Sequence, residues 1–175
     1  MTAFDIKQLL EESRFDFVNA DDKAFVIAFD TAMLERGFEL EMNGHYKGYM
    51  WGRYMLIYRK LGIKAKKVPA RIYLRDNGIA LRLFFSGVDK HRTHIESSPF
   101  HIKDVFTSTH GNCGHCDIER EGNCKHRKTY AIDSTVYEKC DGEVFVFLQP
   151  NLEKLSDYLM LLDEFNSPQK TKRPK

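Results

Sequence analysis

Long apolar runs are missing from this 175-residue chain, and stretches such as EVFVFLQ (143–149) fall far short of the ~20 residues needed to span a bilayer. No membrane span is expected. The opening MTAFDIKQLLEES lacks the basic start, apolar centre and small-residue cleavage site of an export signal. The expected location is therefore the cytoplasm, where thiols stay reduced and clustered cysteines hold metal more often than they form disulfides. A charge excess is missing too. Lys and Arg number 27 against 25 Asp and Glu, a net of +2 that does not mark the chain as a nucleic-acid binder, although local basic patches remain possible. No G-x-S-x-G, phosphate-binding loop, dinucleotide fingerprint or paired-carboxylate motif is visible, which weighs against an enzyme, and the sequence shows no internal repeat.

What is present is enough apolar residue, 42% with 13% aromatic, for one core. A single domain over 1–166 is expected, with a Cys-rich loop at 107–128 and a disordered basic tail, SPQKTKRPK, over 167–175. Ile6, Leu9 and Leu10 share a helical face. Asn19 or Asp21 caps a second helix, whose Phe25, Phe29, Ala32 and Met33 face the core and which Gly37 ends.

From residue 38 the pattern alternates. FELEMN, YMWGRYMLIYRK and KVPARIYLRDNGIALRLFFSG read as strands, with Asn77-Gly78 as a two-residue turn. That turn sets Asp76 opposite Ile79, Leu74 opposite Leu81 and Ile72 opposite Leu83, leaving Arg71, Tyr73, Arg75, Arg82 and Phe84 on the other side. Two short helices follow, in GVDKHRTHIESS and SPFHIKDVF, the second with Ser98 as cap and Pro99 at its first position. After the Cys-rich loop come three strands joined by turns at Asp133-Ser134 and Asp141-Gly142, the last of them (144–148) apolar on both faces and hence expected centrally. Asn151 caps a final helix carrying Leu152, Leu155, Leu159 and Leu162, with Tyr158, Leu161 and Phe165 widening the stripe. The expected class is α+β: an antiparallel sheet of about six strands with helices at both ends.

The stretch HGNCGHCDIEREGNCKHRKTY (110–130) holds three of the four cysteines. Cys113, Cys116, Cys124 and Cys140 are spaced C-x2-C-x7-C-x15-C. The C-x2-C half lets two sulfurs from one turn reach an ion at ~2.3 Å. A turn at Asp133-Ser134 pairs Lys128 with Lys139 and Arg127 with Cys140, returning Cys140 toward Cys124. Four thiolates would close a tetrahedral zinc shell with no open position, which is the structural rather than the catalytic kind. Its charge of about −2 would be offset by Lys125, Arg127, Lys128 and Lys139. His110, His115 or His126 in place of one cysteine, an iron–sulfur centre, a redox disulfide and free cysteines are the competing readings.

Other residues suggest ligand binding. Arg71, Tyr73 and Arg82 set cations beside aromatics, as sites for phosphates, nucleobases or anionic small molecules do, although an ordinary solvated sheet face has the same composition. Tyr49, Trp51 (the only tryptophan) and Arg53 alternate along one strand and could line a concavity, or form core and sheet edge. His91 and His94, with Asp89 and His101 near in sequence, could form a second metal or proton-transfer site, or be exposed side chains on a basic helix.

The run from Gly87 to Phe147, with its short helical segment, Cys-rich loop, RKTY.ID and YEKC, resembles small bacterial cysteine-rich proteins of unknown function. The resemblance covers about the C-terminal half; it matches the four cysteines and implies no activity. The expectation is a zinc-containing, non-enzymatic module that binds a small molecule or protein partner. The alternatives are a nucleic-acid-associated zinc protein, using the basic residues around the loop and tail, and a metal or redox sensor.

Overall fold

The computed structural model describes residues 5–44, 52–60, 68–108, 127–139 and 144–166. Helix α1 (Ile6–Leu10) starts where Asp5 Oδ1 accepts from the backbone N–H of Lys7 and Gln8. Asn19 caps α2 (Ala20–Glu35): its Oδ1 accepts from Asp22 N at 2.8 Å, while its amide donates back to Asp22 Oδ2 at 2.9 Å. Gly37, at φ +74°, ends α2 and turns the chain into the sheet.

Strands β1 (Phe38–Gly44), β2 (Tyr54–Lys60), β3 (Ala70–Leu74) and β4 (Ala80–Phe84) form an antiparallel meander. The chain then passes through α3 (Arg92–Ser97), α4 (Phe100–Thr107), β5 (Lys128–Ile132) and β6 (Thr135–Lys139). It returns as β7 (Val144–Leu148) beside β4, and α5 (Leu155–Asn166) closes the fold. The main sheet has the order β1-β2-β3-β4-β7, and β5-β6 is a separate hairpin.

One face of the main sheet carries Leu56, Tyr58, Ile72, Leu81, Leu83, Phe145 and Phe147 into the core under the helices. Phe29 of α2 meets Tyr58 edge-on at 5.3 Å, Tyr158 of α5 lies 5.0 Å from Phe147, and Phe106 of α4 lies 4.2 Å from Phe145. Met55, Ile57, Tyr73 and Ala80 are buried on the opposite face.

The α+β class agrees with expectation, but there are seven strands in two sheets among the described residues, not about six in one. The β3–β4 register is shifted by two residues: Ile72 faces Leu81 and Ala70 faces Leu83, because the turn falls at Asp76-Asn77 and Gly78 supplies the positive φ of +98°. A two-residue shift preserves side-chain parity, so the expected faces survive. β7 is not central but bonded to β4 alone among the described residues. Its two apolar faces report burial above and below the sheet rather than a neighbour on each side. Ser98 does not cap α4. Its hydroxyl donates to His94 O at 2.8 Å and closes α3 instead. Leu152 is 48% exposed because it lies in the short 3-10 turn before α5, outside that helix's buried stripe.

Candidate functional site: an arginine-aromatic sheet face

Arg71 sits on the middle strand of the five, with Ile57 directly opposite on β2 and Arg82 directly opposite on β4. Both guanidiniums lie over one ring: Arg71 Cζ is 5.0 Å and Arg82 Cζ 5.3 Å from the centroid of Phe84. Tyr73, one pleat along from Arg71, is 1% exposed, and Met55, Ile57 and Ala80 around it are equally buried. The face is therefore an apolar floor with half-buried cations rather than an ordinary solvated surface, and charge interactions above it are less screened than in bulk water.

The arginines differ in what holds them. Arg14, Arg36, Arg53, Arg59, Arg92 and Arg127 each pair with a carboxylate, and Arg75 donates to Gly78 O at 3.0 Å. Glu41, which shares the face, is taken by Arg59 at 2.8 Å. Arg71 has the Phe84 ring and no carboxylate among the described residues, and its Nε is buried without a hydrogen-bond acceptor. A buried donor left unmade costs about 1–3 kcal/mol, which an arriving acceptor would recover.

Of the other expected ligand residues, Arg53 is not part of this cluster. It pairs with Asp76 at 2.6 Å and stacks on Phe17 at 4.6 Å, at the hairpin end of the sheet. Tyr49 and Trp51 lie outside the described residues, as do Cys113, Cys116, Cys124, Cys140, His110, His115 and His126. His91 and His101 separate. His91 Nδ1 meets Glu164 of α5 at 2.8 Å, and His101 Nε2 lies 3.1 Å from Asp157 without hydrogen-bond alignment. Asp89 accepts instead from Ala131 N at 3.1 Å. No three His, Cys, Asp or Glu side chains gather for a metal among the described residues.

The segments that lead into and out of the cysteines are tied together. Lys128 pairs with Lys139 as expected, across a turn where Asp133 and Ser134 have φ +48° and +65°. The buried Lys139 ammonium donates to Val105 O, and Tyr130 Oη donates to Phe106 O at 2.5 Å. Val105 and Phe106 lie in the last turn of α4, so the β5–β6 hairpin is hydrogen-bonded to the C-terminal end of the helix that runs into the Cys-rich segment. Burial pulls the Lys139 pKa down to about 8 and pushes the Tyr130 hydroxyl up. Asp89 and Glu96 accept from the N–H of Ala131 and Asp133, which covers the outer edge of β5.

The chain matches no known protein-family model, curated protein or solved structure. The site therefore rests on its own geometry.

A feature the sequence reading missed is a polar cleft of about 650 Å³ at the end of the sheet, lined by Asn19, Asp22, Asp76, Gln149, Asn151 and Glu153 among others. Its signal was the pair of Asn caps, which bring two helix starts to one hairpin turn. Burial raises the Asp22 pKa there, opposed by its hydrogen bonds from Ile79 N and Asn19.

Proposed function

We propose that the protein is a zinc-containing, non-enzymatic binding module that takes an anionic small molecule on the Arg71–Phe84–Arg82 face. The observation that carries the reading is Arg71: a cation on the central strand, set beside a second arginine over a shared ring, with a buried donor and no counter-charge among the described residues. The strands hold its backbone rigidly, which lowers the ordering cost of binding.

Zinc is proposed at Cys113, Cys116, Cys124 and Cys140 as an architectural ion. The hairpin clamp supports this reading, since Lys139 directly precedes Cys140 and reaches the end of α4 that leads toward Cys113. On this reading the ion anchors a stretch whose one large aliphatic residue is Ile118.

Calorimetric titration of the full chain with small carboxylates and phosphates tests the binding claim. Saturable binding that Arg71→Met weakens supports it; unaltered binding in that variant refutes it. Elemental analysis of reduced protein tests the metal: one zinc per chain is expected, and iron or no metal contradicts it. Nucleic-acid association would show itself instead as an affinity for oligonucleotides that collapses steeply with salt.

A further inference from the structure

Resting on that reading, we propose that the ligand presents a dianionic phosphoryl group, as in a phosphomonoester, which Arg71 and Arg82 hold jointly. Each guanidinium offers N–H groups as a fork that matches two oxygens side by side. A carboxylate has two oxygens, and one fork takes both. A terminal phosphoryl group has three, so it can accept from both arginines at once.

The register makes joint engagement geometrically direct. Arg71 and Arg82 are cross-strand partners, so their Cβ atoms are ~5 Å apart. Both guanidiniums also lie near one Phe84 centroid, at 5.0 and 5.3 Å. The Arg71 Nε–H, buried without an acceptor, belongs to the side-on edge of the fork, which bidentate oxygen pairs engage.

The neighbours sharpen the preference. Ile57 flanks Arg71 and Val146 flanks Arg82 across the ladder, and neither can donate to or accept from a ligand. Recognition on this row therefore falls to the two guanidiniums. Glu41, at the far end of the row, is occupied by Arg59 and does not neutralise Arg71.

The test compares three probes that share a phenyl ring: phenyl phosphate, methyl phenyl phosphate and benzoate, titrated calorimetrically into the full chain. Phenyl phosphate should bind at least about tenfold more tightly than the singly charged diester or the carboxylate, a difference of ~1.4 kcal/mol. Its affinity should rise between about pH 5 and pH 7, as the second phosphate ionisation near ~6 completes the dianion. Arg71→Met and Arg82→Met should each lose about tenfold or more, and Arg71→Lys should recover only part, since an ammonium keeps the charge without the fork. Benzoate binding as tightly as phenyl phosphate would overturn the phosphoryl assignment and leave the anion site standing. Equal binding of the diester, with salt-sensitive capture of single-stranded oligonucleotides, would overturn it in favour of a backbone-phosphate surface. No binding of any probe at millimolar concentration would remove both the assignment and the site.

Discussion

Asp30, 3% exposed on α2, faces the core with one carboxylate oxygen lacking a hydrogen-bond partner. Burial raises its pKa from 3.8 to about 6; the facing Tyr58 hydroxyl opposes this but makes no well-formed hydrogen bond. Because the folded-state value is the higher one, the folded state binds the proton more tightly than the unfolded chain. That contribution to stability is complete below the unfolded value of 3.8 and is lost as pH rises through about 6. Asp30→Asn should therefore raise stability at pH 7, by at most about 3 kcal/mol, and flatten the pH dependence between roughly 4 and 6. Urea titrations at pH 4 and pH 7 check it, and equal destabilisation at both would contradict it. The position was legible in part: Val26, Asp30 and Met33 follow the 4-3 spacing of the buried stripe, so an acid there stands in line for burial. Its unpaired oxygen was not, because the facing residue comes from a strand 28 positions away.

The turn between β3 and β4 shows what local pattern does and does not decide. Asn-Gly marks a hairpin, yet either Asn77-Gly78 or Asp76-Asn77 followed by a left-handed Gly78 satisfies the same residues, and the second is adopted. Gly78→Ala should cost roughly 1–2 kcal/mol, since its φ of +98° is unfavourable for a side chain and the new Cβ would meet Gln149 Cγ at 3.4 Å. Thermal unfolding measures this, and an unchanged midpoint would sink the argument. The β5–β6 turn, where two successive residues have positive φ, was legible from the sequence because its register depends on the turn alone. Cys116→Ser tests how far the hairpin depends on the cysteines beyond it. The expected result is loss of the zinc together with faster amide exchange at 128–139, while β2, β3 and β4 stay protected. Uniform exchange across both sheets would show instead that the hairpin and main sheet unfold together.

At the scale of the whole molecule, period-two alternation told which side chains share a face but not which strands are neighbours. Residues 80–84 pair with residues 144–148 across the α3, α4, β5 and β6 excursion, and nothing in either segment names the other. The expectation of three consecutive strands after the Cys-rich loop held for their existence and failed for their sheet, since β7 leaves β6 to join β4. The composition of the arginine face was legible from parity. Its chemistry was not, because that depends on which arginines find carboxylates: Arg59 takes Glu41 and Arg53 takes Asp76, leaving Arg71 with a ring. The same sheet thus buries one face under helices and keeps two half-buried guanidiniums on the other, fixed by strands on both sides.

The most direct measurement is the Hε resonance of Arg71, observed by 1H–15N NMR while inorganic phosphate is added to the full chain. A saturable downfield shift, matched by Arg82 and lost when Phe84→Ala removes the ring that holds both guanidiniums, is predicted. An Arg71 signal that stays fixed while phosphate reaches millimolar concentration would contradict the account.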